Sequence, residues 1–229
     1  VSPVGAAEVD VDLAFNSAYV WRGLTMTDGE VMQPALTVSS GIGLSAGVWG
    51  NVDLVDDNDL AGEFQEVDLT IAWSLPLDSI VGVELGYIEY LFPNNVGPST
   101  RELYLSTTLD LAVAPFAAVY YDFGEIADYY AQIGLSYGSE LTPALSWEAA
   151  AWAGYAGAGF AELCHGKGSG PFDGNLSAAF SYRANDSLSL AGFVQYVDSL
   201  DSDILVEGNR PGACRKTDWL GGVSLTVSL

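Results

Sequence analysis

From Val9 onward the chain alternates apolar and polar positions. Val9, Val11, Leu13, Phe15, Ser17, Tyr19 and Trp21 share one face of an extended segment, and Asp10, Asp12, Ala14, Asn16 and Ala18 share the other. This two-residue period belongs to a β-strand with one apolar face. It recurs in Leu44, Ala46, Val48, Val52 and Leu54, set against Ser45, Gly47, Trp49, Asn51 and Asp53. About twelve such segments, each roughly 9–12 residues long, are predicted near 8–20, 34–42, 44–54, 64–75, 80–91, 101–110, 113–123, 127–138, 144–155, 174–182, 187–197 and 217–229. No segment reads as a helix, and no run approaches the roughly 18–20 apolar residues of a membrane-spanning helix.

The connections alternate in length. Long ones fall at 23–33, 55–63, 92–100, 156–173 and 198–216, with a shorter 124–126 in the remaining slot. Short ones fall at 41–43, 76–79, 111–112, 139–143 and 183–186. An up-and-down sheet puts these two sets at opposite ends and both termini at the short-turn end. Strands of this length cross a bilayer when tilted.

A soluble barrel would also alternate, but with its apolar face inside. Three features favour a membrane barrel. Aromatic residues on the apolar face collect at strand ends: Tyr19, Trp21, Tyr121, Phe123, Tyr129, Tyr155, Tyr196 and Trp219 at the long-loop end, and Trp73, Tyr137, Trp147 and Tyr182 at the other. Two such girdles around an aliphatic band suit membrane interfaces. The polar face uses small residues and carboxylates, such as Gly82, Glu84 and Gly86, where a solvated exterior would carry lysine. The last strand, DWLGGVSLTVSL, alternates to the final residue, although Leu229 stands where an aromatic residue is usual. The fold expected is therefore all-β, a single closed antiparallel up-and-down transmembrane barrel over residues 1–229.

Composition agrees. Hydrophobic residues make up 49% and charged residues 16%, with a formal net charge of −23 and only Lys167 and Lys216 as lysines. That balance excludes nucleic acid as a partner, since phosphate neutralisation needs Lys and Arg. The start VSPVGAAEVD reads as a mature N-terminus left by a cleaved secretory signal.

With the polar face inward, the lumen is expected to hold Asp10, Asp12, Asp53, Glu66, Asp68, Glu84, Glu102, Asp122 and Glu148, with Arg22 and Arg101 as the inward basic residues. Isolated carboxylates cannot stay ionised in a dry core. The interior is therefore hydrated, or some acids are neutral, or cations are bound. Twelve strands leave room for water around small wall residues. A narrow acidic channel follows, favouring cations or neutral solutes over anions. The alternative is a barrel with a structural or adhesive role that transports nothing. Inward aromatics Trp49, Tyr104, Tyr120, Tyr130 and Trp152, with Phe193, either fill space or form a constriction that stacks a ring-bearing or organic-cation solute.

Two stretches carry a family likeness. Residues 18–36, AYVWRGLTMTDGEVMQPAL, followed by 44–54, LSAGVWGNVDL, resemble the start of the TorF-like putative porins of proteobacteria. The shared pattern is Tyr19-x-Trp21-Arg22-Gly23, then Gly47-x-Trp49. The resemblance covers about the first quarter of the chain. It implies an outer-membrane barrel with a pore function, and brings no catalytic residue and no cofactor.

Cys164 and Cys214, in neighbouring long loops, are expected to form a disulfide on the oxidising side. His165, Lys167, Arg210, Arg215 and Lys216 lie beside them, as solvated loop charge or a contact for lipopolysaccharide phosphate. The acidic run VDDNDLAGE at 55–63 lacks the ligand order of an EF-hand, so no metal site is expected. Neither Gly-x-Ser-x-Gly nor a phosphate loop is present, and His165 is the one histidine available to a Ser-His-Asp triad, so an enzyme is not expected. In Arg22 the reading places a counter-ion at the pore mouth, near Glu102, with Tyr19 and Trp21 facing lipid. The expected location is the outer membrane of a Gram-negative bacterium, with lipid, lipopolysaccharide and small solutes or cations as partners. The sequence leaves the oligomeric state open.

Overall fold

The computed structural model describes residues 7–56, 59–94, 97–163, 168–200 and 219–229. In chain order its strands are β1 (Glu8–Asn16), β2 (Tyr19–Trp21), β3 (Leu24–Thr27), β4 (Val31–Ser39), β5 (Leu44–Asp53), β6 (Phe64–Ser74), β7 (Val81–Leu91), β8 (Thr100–Leu109) and β9 (Ala114–Asp122). They continue with β10 (Tyr129–Thr142), β11 (Leu145–Ala156), β12 (Gly170–Asn185), β13 (Leu188–Ser199) and β14 (Trp219–Ser228), and one helix, α1 (Ala158–Glu162), lies between β11 and β12. All strands except β2 and β3 form a closed antiparallel barrel. Closure falls on β1, whose Leu13 faces Pro34 of β4 on one side and Leu225 of β14 on the other.

The alternation runs apolar-out and polar-in, opposite to a soluble barrel. Ile71, Ile133 and Val223 are 60%, 67% and 61% exposed, while Asn51, Asp53, Glu102 and Asp122 are fully buried inside. Closure satisfies the backbone of every wall strand from its neighbours, and this lets a sheet sit in lipid. Outward aromatics pair near the rims: Tyr129 stacks on Tyr155 at 6.4 Å and Tyr196 meets Trp219 at 5.1 Å. At the opposite end Tyr137 meets Trp147 at 5.6 Å, and Trp73 donates its indole N–H to the Ile42 carbonyl.

Four expectations change. The first wall strand ends at Asn16, not near residue 20, and β2–β3 follows as a separate two-stranded sheet. Tyr19 is 7% exposed and Trp21 packs against Tyr90 and Phe160, so neither belongs to the outward girdle. Arg101 faces outward. It lies between the buried Thr100 and Glu102, shares a face with Leu103 and Leu105, and stands opposite Glu89. A short helix, α1, is also present. Cys164 and Cys214, and with them His165, Lys167, Arg210, Arg215 and Lys216, lie outside the described residues.

Two β-bulges each turn a pair of adjacent side chains into the interior. Between Asn51 and Val52 the β5–β6 register slips, leaving Gln65 as an extra residue, and both Gln65 and Glu66 are buried. Between Ala153 and Tyr155 the β11–β12 register slips, so Phe172 and Asp173 together face Gly154, and both are buried. A regular strand cannot send two consecutive side chains inward, whereas a bulge can.

Candidate functional site

The inner hairpin starts from local chain preferences. Tyr19 pairs with Thr27, Val20 with Thr25 and Trp21 with Leu24, which leaves Arg22 and Gly23 as a two-residue turn. Both have positive φ, 48° and 78°, as the type I′ turn of a tight hairpin requires. Gly23 meets that demand freely, and a Cβ there would lie 2.5 Å from the Asp173 Cβ. Arg22 carries the steric cost of the left-handed conformation, so its surroundings must hold it there.

They do so through charge and aromatic faces. The Arg22 guanidinium donates Nη1 to Glu102 Oε1 at 2.6 Å and Nη2 to Oε2 at 2.7 Å, and Tyr90 donates its hydroxyl to Oε2 at 2.9 Å. The Arg22 side chain is 9% exposed and that of Glu102 is fully buried. Around the guanidinium stand the rings of Tyr120 at 4.2 Å, Trp21 at 4.5 Å, Tyr130 at 4.9 Å and Phe160 at 5.3 Å. Burial opposes the arginine's charge, but the hydrogen bonds and charge of Glu102 outweigh it and hold the group above its ordinary pKa. A bidentate, fully partnered pair is the form in which a buried charge is tolerable.

The rest of the hairpin is tied to the wall. Tyr19 donates its hydroxyl to Glu66 at 2.9 Å and packs on Trp49 at 5.4 Å. Burial, with the charges of Glu66 and Asp68, pushes the Tyr19 phenol well above its ordinary pKa, so it remains a donor. Thr27 donates to Asp53 at 2.7 Å, and Gln65 donates to the Met26 carbonyl at 3.2 Å. Asn51 donates to both Asp53 and Gln65, Gln33 to Asn51, and Asn16 to Gln33, which extends the network along β1, β4 and β5. On the other side Leu24, Phe160, Ala161 and Phe172 form an apolar cluster with Tyr130, and Trp21 and Met26 pack against it. The α1 start is fixed by Asp128, whose Oδ2 accepts the Gly159 N–H at 2.6 Å. Tyr130 completes the cluster by donating to Asp173 at 2.9 Å. The long-loop half of the interior is thus occupied by chain.

The other half is hollow. A chamber of about 550 Å³ is lined by Ser106, Phe116, Tyr120, Gln132, Glu148 and Trp152, among others. A second space of about 520 Å³ shares Ser136 and Glu148 with it and runs toward the short turns. Neither lining includes Lys, Arg or His.

The residues expected on the inner wall therefore divide. Arg22, Trp49, Asp53, Glu66, Glu102 and Tyr130 gather around the hairpin, and Tyr120, Glu148 and Trp152 line the chamber. Tyr104 donates to Glu84 at 2.7 Å, which also accepts from Ser74 at 2.7 Å. Asp10 and Asp12 accept from Ser228 and Thr226 near the short-turn end. Asp122 accepts from Thr100 and from the Gly124 and Ile126 N–H groups, so it holds the β9–β10 turn. Asp68 Oδ1 is buried with no hydrogen bond among the described residues. Among the described residues no cluster of His, Cys, Asp and Glu could hold a metal ion.

Comparison with known proteins bears on this geometry. A family model described as "Bacterial protein of unknown function (Gcw_chp)" matches residues 1–210. The chain belongs to the Gcw_chp family. No curated protein matches its sequence. In three dimensions this Gcw_chp chain is similar to the KdgM porin, at a TM-score of 0.61 and 11% identity, covering 96% of this chain and 99% of that one. A KdgM porin in complex with disordered oligogalacturonate gives 0.60 at 9% identity over 97% and 99% of the two chains. The NanC porin gives 0.59 at 11% over 96% and 100%. At these identities the likeness establishes the fold.

In the Gcw_chp chain several site residues escape the sequence pattern. Gln65, Phe172 and Asp173 sit at or beside bulges, where a two-residue period assigns one of each adjacent pair to the wrong face. Phe160 lies on a five-residue helix, too short to show a helical period. Tyr90 was accessible: it continues the inward frame of Glu84 and Gly86.

Proposed function

We propose that the chain is a porin-like channel of the outer membrane, passing small hydrophilic solutes with a preference for cationic or neutral ones. The observation that carries the reading is the chamber, a hollow polar space inside a wall whose outer face is apolar. Glu148 in that space, and Glu140 with it in the second space toward the short turns, give the path a negative lining, which concentrates cations. The porin fold of KdgM and NanC supports passage as the use of such a barrel. One KdgM structure holds oligogalacturonate, a polyanion. The chamber here, with no basic residue in its lining, is poorly suited to a solute of that charge. The TorF-like opening supports the same reading, because Tyr19, Trp21, Arg22 and Gly23 build the tip of the inner hairpin and so control how far the path extends toward the loops.

Uptake of radiolabelled lysine, glucose and gluconate into proteoliposomes tests this. Lysine and glucose are expected to enter faster than gluconate. Fastest entry of gluconate would sink the acidic-channel reading. A barrel that transports nothing has one observation in its favour, the filling of the loop-side half by the hairpin and α1. It requires that no solute enter whether the hairpin is present or removed.

A further inference from the structure

We propose that the open chamber is a binding site for an arylalkylammonium ion, its ring against Phe116 and Trp152 and its ammonium beside Glu148. The proposal deepens the channel reading and rests on it only for how the ion arrives, from the short-turn end.

The register builds the site. Gly134 of β10 faces Phe116 of β9 on one side and Trp152 of β11 on the other. A Cβ at Gly134 would come within 2.4 Å of Phe116 Cζ and 2.6 Å of Trp152 Cβ. The two aromatic residues therefore close in over a bare backbone, and Tyr120 and Gln132 line the chamber on the loop side of this pair. One step toward the short turns, Ser136, Ala150 and Ser177 lie side by side across β10, β11 and β12. These three small residues make a floor without bulk. One step further is Glu148, beside Gly138 and Ala179. From Trp152 to Glu148 is four residues of extended strand, about 13 Å between Cα atoms. With both side chains reaching into the space between, that span fits a ring joined to an amine by a short chain.

The charge assigns the class of ligand. Glu148 is exposed to the lumen, and it has no hydrogen-bond or ion-pair partner among the described residues. Of the other carboxylates, Glu84, opposite Ser106, already accepts from Tyr104 and Ser74, and Glu140 lies on the short-turn side, in the second space that Glu148 also lines. Arg22 touches Tyr120 but does not line the chamber, and its charge is matched by Glu102. The ligand's ring gains from stacking on Phe116 and Trp152 while its ammonium gains from the Glu148 charge, and Gln132, Ser136 and Ser177 offer polar edges. A chamber of about 550 Å³ lies within the range of small-molecule sites, roughly 300–1,000 Å³. A neutral or anionic arene would keep the stacking and lose the charge.

Calorimetric titration of 2-phenylethylammonium chloride into the full chain, folded in detergent micelles, tests the assignment against an empty-micelle blank. Saturable one-site binding is expected, with 2-phenylethanol and phenylacetate each weaker by about tenfold or more. Glu148→Gln and Trp152→Ala are each expected to weaken it by about tenfold, in protein whose folded state is verified by heat-modifiable gel mobility. Absence of saturable binding by folded wild type, equal affinity for 2-phenylethanol, or an unchanged affinity in folded Glu148→Gln overturns the proposal. The two readings fail separately. Solute uptake without binding removes the site and leaves the channel, whereas binding without uptake removes the channel and leaves the site.

Discussion

Replacing residues 18–29 with Asn-Gly is expected to raise single-channel conductance several-fold while the barrel still forms. The ends to be joined are already adjacent, because Asn16 pairs with Val31 across β1 and β4. Asn-Gly is the preferred two-residue link for such a hairpin. Removing the insert takes away Tyr19, Trp21, Arg22 and Leu24, which together with α1 fill the loop-side half. Glu66, Glu102 and Asp53 lose Tyr19, Arg22 and Thr27 as partners, but the vacated space lets water reach them, so their charge need not be buried unpaired. Paired bilayer recordings of wild type and variant supply the check. An unchanged conductance in a folded variant would mean that the hairpin does not limit the path.

The second large effect is expected at the latch itself. Arg22→Ala leaves Glu102 buried with Tyr90 as its remaining side-chain donor, and breaking a buried pair from one side costs about 3–5 kcal/mol. Glu102→Gln strands the arginine inside its ring of aromatic faces, with a cost of the same order. The double variant is expected to be less destabilised than the sum of the two, because neither charge is then left alone. Arg22→Lys is expected to recover part of the loss, since a lysine gives up the bidentate geometry. Arg22→Gly is expected to be about 1–2 kcal/mol milder than Arg22→Ala, the amount of left-handed strain that glycine avoids. Denaturant unfolding in micelles, followed by tryptophan fluorescence, reads the five variants against the wild type. Additive single-site losses would show that the pair does not act as a unit.

How much of the molecule was legible in the sequence depends on which interactions obey a period. The wall did: twelve alternating segments became twelve strands, because one face meets apolar surroundings and the other does not. The alternation runs past the end of β1 at Asn16 for the same reason. β2 is also extended and also alternates, so Tyr19 and Trp21 continue the pattern of Phe15 although the chain has already left the wall. Alternation identifies a strand's two faces but not which environment each meets. Arg22 and Glu102 could be matched from charge scarcity, since a lone basic residue near several acids has few partners to choose among. Arg101 could not, because its neighbour Glu102 takes the inward position and only one of two adjacent residues in a regular strand can. The double inward turns at Gln65–Glu66 and Phe172–Asp173 depend on bulges, which have no fixed residue signature. The hollow below them is set by how twelve strands pack around the insert, a property of the closed barrel and not of any segment.

An acid-lined aqueous path through the barrel is tested most directly by the reversal potential of the purified chain in a planar bilayer under a potassium chloride gradient. A potential displaced toward the potassium equilibrium value is expected for the wild type, and a shift of the same sign at larger current for the variant with residues 18–29 replaced. A potential on the chloride side, or no current from either protein, contradicts it.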